Sequence, residues 1–224
     1  MSAESIIRVE DLYKTYELGE VRVNALNGVS LSINEGDFFI ITGRNGSGKS
    51  TLLHQLGLLD LPNSGTIILK DMDVTMMPER ERIKLRVREL GYIFQEYALT
   101  AELTALENVM LPAMMMMSAR DCRPRALELL ERVGVEARAH NLPRQCSGGE
   151  QQKIAIARAM INNPTVLFAD EPTANLDSIS ARDIMEIFRS LNETENRTIV
   201  MITHEQDETT YATQLIKLAD GRLI

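Results

Sequence analysis

The sequence predicts an α/β fold built around buried parallel strands, and three observations carry this prediction. The apolar run DFFIITG, residues 37–43, leads into a glycine-rich turn and a helix-like segment. The runs TVLFAD at 165–170 and TIVMITH at 198–204 are apolar without alternation, which is typical of strands buried on both faces of a parallel sheet. The helix-like segment SARDIMEIFRSLN, residues 180–192, separates these two runs.

The other elements follow from local patterns. Before residue 37, alternating apolar positions predict strands separated by turns. Between about Thr100 and Asn162, helical periodicity replaces this alternation and predicts a helical insert, in which three prolines are expected to break the helices. The remaining predicted strands are SIIRVEDL, VRVNAL, GVSLSI, TIILKDM and YIFQ; the other predicted helices include GKSTLLHQLGLLD, TALENVMLPAMMMM and RPRALELLERVGV; the prolines are Pro112, Pro124 and Pro143.

Length and composition limit the possible functions. The 224 residues suffice for one sizeable α/β domain with a subdomain, but not for two ordinary domains. The formal net charge of -8 argues against a nucleic-acid-binding surface and against direct adhesion to anionic lipid. The sequence shows neither a signal-peptide pattern nor an apolar run near the roughly 20 residues of a membrane span. We therefore expect a cytoplasmic protein without direct membrane insertion, in which Cys122 and Cys146 are reduced thiols.

The segment GRNGSGKS, residues 43–50, matches the phosphate-loop pattern GxxxxGK followed by Ser or Thr, between a predicted strand and a predicted helix. Its glycines allow backbone N–H groups to wrap phosphates, Lys49 brings a positive charge to the outer phosphates, and the Ser50 hydroxyl is a ligand for Mg²⁺. The alternative is a glycine-rich turn that only caps a helix. The predicted nucleotide-binding residues are Gly43, Arg44, Asn45, Gly46, Ser47, Gly48, Lys49, Ser50 and Thr51.

Polar residues follow two of the predicted buried strands. Asp170 ends the run at 165–170 and Glu171 follows it, and ligands of open α/β sheets bind at the carboxyl ends of strands. We predict that Asp170 serves the metal ion and that Glu171 orients and deprotonates an attacking water, the alternative being a solvated acidic loop. His204 ends the run at 198–204 and would contact the terminal phosphate, although a lone histidine is more often structural.

A second predicted anion site lies in QCSGGEQQKIAIARAM, residues 145–160, where a Ser-Gly-Gly turn precedes apolar positions at helical spacing. A helix start offers unpaired backbone N–H groups, and glycines let a phosphate approach them closely. Ser147, Gly148 and Gly149 are therefore predicted to bind an anion. One chain thus carries two predicted phosphate-binding sites, the loop 43–50 and the turn 147–149, which we call the two phosphate cradles.

Together, these motifs resemble the ATP-binding-cassette (ABC) ATPases along essentially the whole chain and in the family's order. Two residues depart from the family pattern: Cys146 stands where leucine is usual, and Glu150 where many members have glutamine. Cysteine is similarly apolar but smaller, so we expect a modest effect of the first change. The matches are GRNGSGKS to Walker A, Gln95 to the Q-loop, CSGGE at 146–150 to the signature, VLFADE at 166–171 to Walker B, ANLD at 174–177 to the D-loop, and His204 to the switch histidine.

The resemblance implies a P-loop NTPase (RecA-like) core with a small antiparallel β subdomain at its N-terminal end and an inserted α-helical subdomain. The core would comprise residues 1–94 and 163–224, and the helical subdomain residues 95–162. The resemblance also implies a head-to-tail homodimer, in which the Walker A loop of one chain and the Ser-Gly-Gly turn of the other clasp the same ATP. Each cradle would thus complete the site of the neighbouring chain.

The resemblance further assigns roles to single residues. It implies that Tyr16, rather than Tyr13, stacks on adenine, with an exposed strand aromatic as the alternative for either residue. It also places Gln95, by itself a plain loop glutamine, with Ser50 and Asp170 around Mg²⁺.

Three segments, GLLDLPNSGTI, ELTALENVMLP and QCSGGEQQKIAIARAM, are similar to the group that contains the ATPases of lipoprotein release, macrolide and peptide export, and cell division. The resemblance implies an ATP-hydrolysing subunit, peripheral on the inner face of the cell membrane, that drives a separate integral membrane subunit. The alternative is a soluble ABC ATPase with a non-transport role such as iron-sulfur assembly. The residues Met114–Met117 are expected to fill a helical core rather than to grip a partner helix.

Overall fold

The computed structural model describes residues 5–19 and 21–224, which divide into two compact units. The first unit takes the described residues up to Lys84 together with Asn196–Ile224, and the second comprises Leu85–Glu195. The strands are β1 (Ser5–Leu18), β2 (Val21–Asn34), β3 (Phe38–Gly43), β4 (Ser64–Leu69), β5 (Met72–Asp73), β6 (Leu90–Ile93), β7 (Val166–Asp170), β8 (Thr198–Ile202), β9 (Gln214–Ala219) and β10 (Arg222–Leu223). The α-helices are α1 (Lys49–Leu56), α2 (Glu79–Glu89), α3 (Ala105–Met110), α4 (Ala119–Arg132), α5 (Gly148–Met160) and α6 (Ser178–Glu195).

The first unit contains an antiparallel sheet of four strands in the order β2-β1-β4-β5. The segments VRVNAL and GVSLSI, which the sequence predicts as two strands, form the single strand β2. Its register against β1 shifts at several points. A β-bulge adds a residue without ending a strand, so the interrupted alternation did not mark a strand end. The predicted antiparallel β subdomain is confirmed.

Parallel pairing organises the rest of the first unit, where the strand order is β10-β9-β3-β8. Strand β3 pairs in parallel with β8 and β9, and every residue of β8 is buried. The burial on both faces that the sequence predicts for the run at 198–204 is therefore confirmed for β8. Ile41 lies opposite Ile202, so the carboxyl ends of β3 and β8 reach the same edge of the sheet. That edge carries the glycine-rich loop 43–50 after β3 and His204 after β8.

The second unit combines a parallel strand pair, β6 and β7, with α-helices. Helix α3 packs against α4 and α5, and α5 also packs against β6 and α6. The apolar positions predicted for the helix after the Ser-Gly-Gly turn, including Ile154, Ile156 and Ala157, are completely buried. Among the described helices, none combines the length and the apolar character that a membrane crossing needs.

Two predictions for the helical region are wrong. Helix α4 begins at Ala119, after the N-cap residue Ser118, and continues through Pro124 to Arg132. The proline therefore does not break the helix. The proline is exposed, so water can replace the missing backbone hydrogen bond. The side chains of Met114–Met117 are 43% to 66% exposed and do not fill a core. They follow the short helix α3 in a 3-10 turn and a bend, so no continuous helix directs them inward.

Helix α2 was not predicted at all. Its sequence, ERERIKLRVRE, is dominated by charged residues, and Arg82 is its only buried residue. Without an apolar stripe, the helix shows no periodicity that local pattern analysis detects.

Candidate functional site

The loop 43–50 joins β3 to α1 in the first unit and has a backbone that requires glycine. At Gly48, φ is 101°, and an added Cβ would lie 2.2 Å from the carbonyl oxygen of Ala25. At Gly43, φ is 151°, and an added Cβ would lie 2.3 Å from the carbonyl oxygen of Leu218. Both contacts are with backbone, which cannot turn away as a side chain can. The sequence pattern therefore reflects a real steric requirement.

Lys49 holds its ammonium group inside this loop. The Nζ atom donates hydrogen bonds to the carbonyl oxygens of Gly43 at 3.0 Å and Arg44 at 3.2 Å, and the residue is only 6% exposed. Within the described ranges 5–19 and 21–224, no carboxylate forms an ion pair with it. The buried Ser47 Oγ has no hydrogen-bond partner either. A buried cation and an unsatisfied hydroxyl in the same loop fit a loop that receives an anionic phosphate.

Tyr16 lies close to the same loop. Its hydroxyl donates to Asp60 Oδ2 at 2.8 Å and accepts a hydrogen bond from Thr51, a residue of the first turn of α1. Partial burial, followed by the bond to Asp60, raises the pKa of the Tyr16 hydroxyl, which therefore stays protonated. The predicted adenine contact thus lies beside the predicted phosphate loop within one unit.

His204 follows β8 at the edge where the loop 43–50 leaves β3. Its side chain is 48% exposed, and Nε2 lies 3.1 Å from Glu205 Oε1. The exposure leaves the ring accessible to a ligand.

Asp170 ends β7 in the second unit, and Glu171 follows with φ at 44°. A glutamate in the left-handed region is uncommon, and backbone strain of this kind clusters at functional sites. Both carboxylates are half-buried. Strands β6 and β7 run in parallel with Ile93 opposite Ala169, so Gln95 leaves the sheet at the same edge as these carboxylates.

The turn at Ser147 starts α5 with a capping box. Ser147 Oγ accepts from the Glu150 backbone N–H, while Glu150 Oε2 accepts from the Ser147 N–H at 2.7 Å. Glu150 Oε1 accepts from Arg138 Nε at 2.8 Å, and chiefly this bond lowers the pKa of the Glu150 carboxyl. Glu150, which stands where many family members have glutamine, therefore also binds the guanidinium group of Arg138. Cys146 is 9% exposed, and burial raises the pKa of its thiol, so the residue serves as a small apolar side chain.

Sequence reasoning missed the residues that link these motifs. Arg158 on α5 donates through Nη2 to the Tyr97 carbonyl oxygen at 2.8 Å and through Nη1 to that of Ala98. Tyr97 and Ala98 both have positive φ, at 60° and 50°, so the guanidinium holds a strained segment just after Gln95. The Asp60 contact to Tyr16 was missed as well. Local sequence patterns predict neither the Arg158–Tyr97 nor the Tyr16–Asp60 contact, because the partners lie more than 40 residues apart.

Comparison with known proteins agrees with these motifs. A family model described as ABC transporter matches residues 26–174. The macrolide export ATP-binding/permease protein MacB of Chlorobium luteolum is 46% identical over 219 residues, which cover 98% of this chain and 33% of MacB. The lipoprotein-releasing system ATP-binding protein LolD of Legionella pneumophila is 42% identical over 219 residues, covering 97% of this chain and 96% of LolD.

The solved structures include a dimer of the ATP-binding cassette MJ0796 in a post-hydrolysis state, bound to ADP and Pi. This chain is similar to it with a TM-score of 0.90 and 40% identity, over 97% of this chain and 96% of that one. The fold therefore matches an ATP-hydrolysing cassette almost from end to end. By its family match, its relatives and its fold, this chain belongs to the ABC transporter family as an ATP-binding cassette with ATPase activity.

Proposed function

We propose that this chain hydrolyses ATP as a head-to-tail dimer and thereby drives a separate integral membrane subunit, through which it is held at the inner face of the cell membrane. The observation that carries the proposal is the loop 43–50, with its required glycines and its buried Lys49. The transporter names of MacB and LolD favour this role over that of a soluble ABC ATPase in iron-sulfur assembly.

We assign phosphate binding to the loop 43–50. Its backbone N–H groups would donate to the phosphate oxygens, and the Lys49 Nζ would exchange its bonds to the Gly43 and Arg44 carbonyls for bonds to the outer phosphates. The exchange replaces neutral acceptors with charged ones, which strengthens the hydrogen bonds of a buried ammonium. Tyr16 would contact the adenine base, and Thr51 adds its hydroxyl beside the loop.

Water activation falls to Glu171, whose carboxylate would accept the proton of the attacking water. His204 would donate a hydrogen bond to an oxygen of the terminal phosphoryl group as negative charge accumulates there. Such in-line attack needs positioning and charge stabilisation more than covalent chemistry.

The side chains assigned to Mg²⁺ are Ser50, Gln95 and Asp170, which offer the oxygen donors that this ion prefers. Bound with ATP, the ion would neutralise charge on the phosphate oxygens. Over the residues that the structure describes, no group of three or more His, Cys, Asp or Glu side chains forms a metal site. Mg²⁺ keeps water and phosphate oxygens as most of its ligands.

A second copy of the chain would supply Ser147, Gly148 and Gly149 to the same ATP. Their turn starts α5 with the N-terminal N–H groups and the positive dipole end of a 13-residue helix. The similar cassette MJ0796 has been solved as a dimer bound to ADP and Pi. Each chain would thereby contribute one cradle to each of two sites.

The methionine surface, defined as Leu111 and Met114–Met117, supports docking of the membrane subunit. All five side chains are exposed, with Met115 at 66%. Flexible, polarisable methionine side chains adapt to a partner helix, and MacB by name joins an ATP-binding part to a permease in one protein. We therefore assign the contact with the membrane subunit to this surface.

Replacing Met115 and Met117 with serine tests this assignment. Because both side chains are exposed, we expect the free energy of unfolding to change by no more than about 0.5 kcal/mol. Recovery of a polytopic membrane protein with the tagged chain from a mild detergent extract should fall several-fold. The matched control is Met76→Ser, since Met76 is 86% exposed and lies outside the methionine surface. Wild-type recovery by the double variant would remove the surface from the proposal, and failure to recover any membrane protein with the unmodified chain would contradict the proposed function.

A further inference from the structure

Lys14, Tyr16 and Asp60 form a connected cluster in the first unit. Lys14 and Tyr16 lie two residues apart on β1, and both side chains reach Asp60. Lys14 Nζ donates to Asp60 Oδ1 at 2.8 Å and to the Leu61 carbonyl oxygen at 2.7 Å, and Tyr16 Oη donates to Asp60 Oδ2 at 2.8 Å. The Leu61 backbone N–H also donates to Asp60 Oδ1 at 2.8 Å. Each oxygen of the Asp60 carboxylate therefore has a defined partner.

The two faces of the Tyr16 ring are not equivalent. Lys14 Nζ lies 5.0 Å from the ring centroid, above one face. The Lys14 side chain is only 12% exposed, so its stem and ammonium occupy that side. A planar base must therefore stack on the opposite face. The ammonium also draws on the electron density of the ring through a cation-π interaction, which fixes the tyrosine further.

Two hydrogen bonds fix the far end of the ring. The Tyr16 hydroxyl donates to Asp60 and accepts from Thr51, which stands next to Ser50 in α1. Burial opposes ionisation of Asp60, but the hydrogen bonds from Lys14 and Tyr16 outweigh it, and the pKa of the carboxyl lies below its usual value. Asp60 therefore remains a charged acceptor at neutral pH, and the ring is tied to the helix that follows the phosphate loop.

We propose that Asp60 is a positioning residue for the adenine base: it fixes Tyr16 so that the base stacks on the ring face opposite Lys14. The inference rests on the proposed function, because it takes Tyr16 as the adenine contact. A ring that is already immobile loses less conformational freedom when the base binds, so the network raises affinity without touching the ligand. Removal of Asp60 should weaken binding of the base and leave binding of the phosphates unchanged.

The test compares equilibrium binding of ADP and of inorganic pyrophosphate, each with Mg²⁺, by calorimetry. Tyr16→Ala should weaken ADP binding by about 5- to 150-fold, the range for one base stacked on an aromatic ring. Asp60→Ala and Tyr16→Phe should each weaken it by about 2- to 13-fold, as expected for one lost hydrogen bond. Pyrophosphate affinity should stay unchanged in all three variants. Asp60→Ala should add nothing once Tyr16 is alanine.

Two further variants guard against a general folding defect. Asp60→Asn keeps the shape of the side chain but leaves one acceptor oxygen for three donors, so it should also weaken ADP binding selectively. Glu17→Gln is the matched control: Glu17 neighbours Tyr16 on β1, is exposed and pairs with Arg22, and its loss should change neither affinity.

Three results with Asp60→Ala and Asp60→Asn would overturn the inference: equal weakening of ADP and pyrophosphate binding, unchanged ADP binding, or further weakening of ADP binding in the Tyr16→Ala background. Unchanged ADP binding by Tyr16→Ala would remove the base contact itself, and the inference with it. If the unmodified chain bound neither ADP nor pyrophosphate, the proposed nucleotide function would fail first, which is a different outcome from a selective defect.

Discussion

Glu171→Gln should lower ATP turnover by about 10²- to 10⁴-fold while ATP binding is retained. The amide has the shape of the carboxylate but cannot accept the proton of the attacking water. Glu171 directly follows β7 and is half-buried, with φ at 44°, and glutamine tolerates this conformation about as well as glutamate. Turnover under saturating ATP and equilibrium binding of ATP are the two measurements.

Glu193→Gln serves as the control, because Glu193 is an exposed carboxylate on α6 without an assigned role. We expect its turnover and ATP affinity to match those of the unmodified chain. Hydrolysis by Glu171→Gln at near wild-type rates would remove the general-base assignment. Loss of ATP binding together with turnover would show instead that Glu171 serves binding.

The parts of the candidate site whose backbone geometry can be inferred from the sequence are local. The loop 43–50 combines glycine, lysine and serine at fixed spacing, and the backbone contacts of Gly43 and Gly48 explain why no other residue fits there. The start of α5 is local too, since the capping box joins Ser147 and Glu150 three residues apart. Features formed by residues close in sequence produce a local sequence pattern from which they can be predicted.

The parts that sequence reasoning missed depend on contacts between distant segments. Tyr16 meets Asp60 across 44 residues, and Arg158 meets Tyr97 across 61. Neither pair carries a periodic or compositional signal, because one hydrogen bond constrains only two side chains. The prediction that Met114–Met117 fill a core was wrong for a different reason. Their side chains are apolar like those of a core, but they lie in a 3-10 turn and a bend that do not direct them inward.

Two damaged chains mixed in one dimer test whether the two phosphate cradles act in trans, as we propose. One chain carries Lys49→Ala, which removes the buried ammonium group of the phosphate loop. The other carries Gly149→Asp, which puts a negative charge and a side chain at the start of α5. Each homodimer then has two damaged sites. If the cradles meet across the dimer, both lesions in the mixed dimer fall in the same site and the other site is intact.

The variant at the second cradle needs a check on folding. An added Cβ at Gly149 would lie 2.9 Å from Ser180 Oγ, so Gly149→Asp also strains the contact with α6. Ser147→Asp offers an independent lesion: Ser147 is exposed, and aspartate is itself a good N-cap, so the helix start should survive the added charge. Agreement between the two variants separates the loss of the anion site from local disorder.

The decisive measurement is the amount of ATP retained by mixed dimers, isolated through a different tag on each chain. Both chains also carry Glu171→Gln, so that hydrolysis does not empty the sites. We predict one retained ATP per mixed dimer, whereas either parental homodimer retains much less. Tagged mixed dimers that retain no more ATP than their parents would contradict the arrangement in trans.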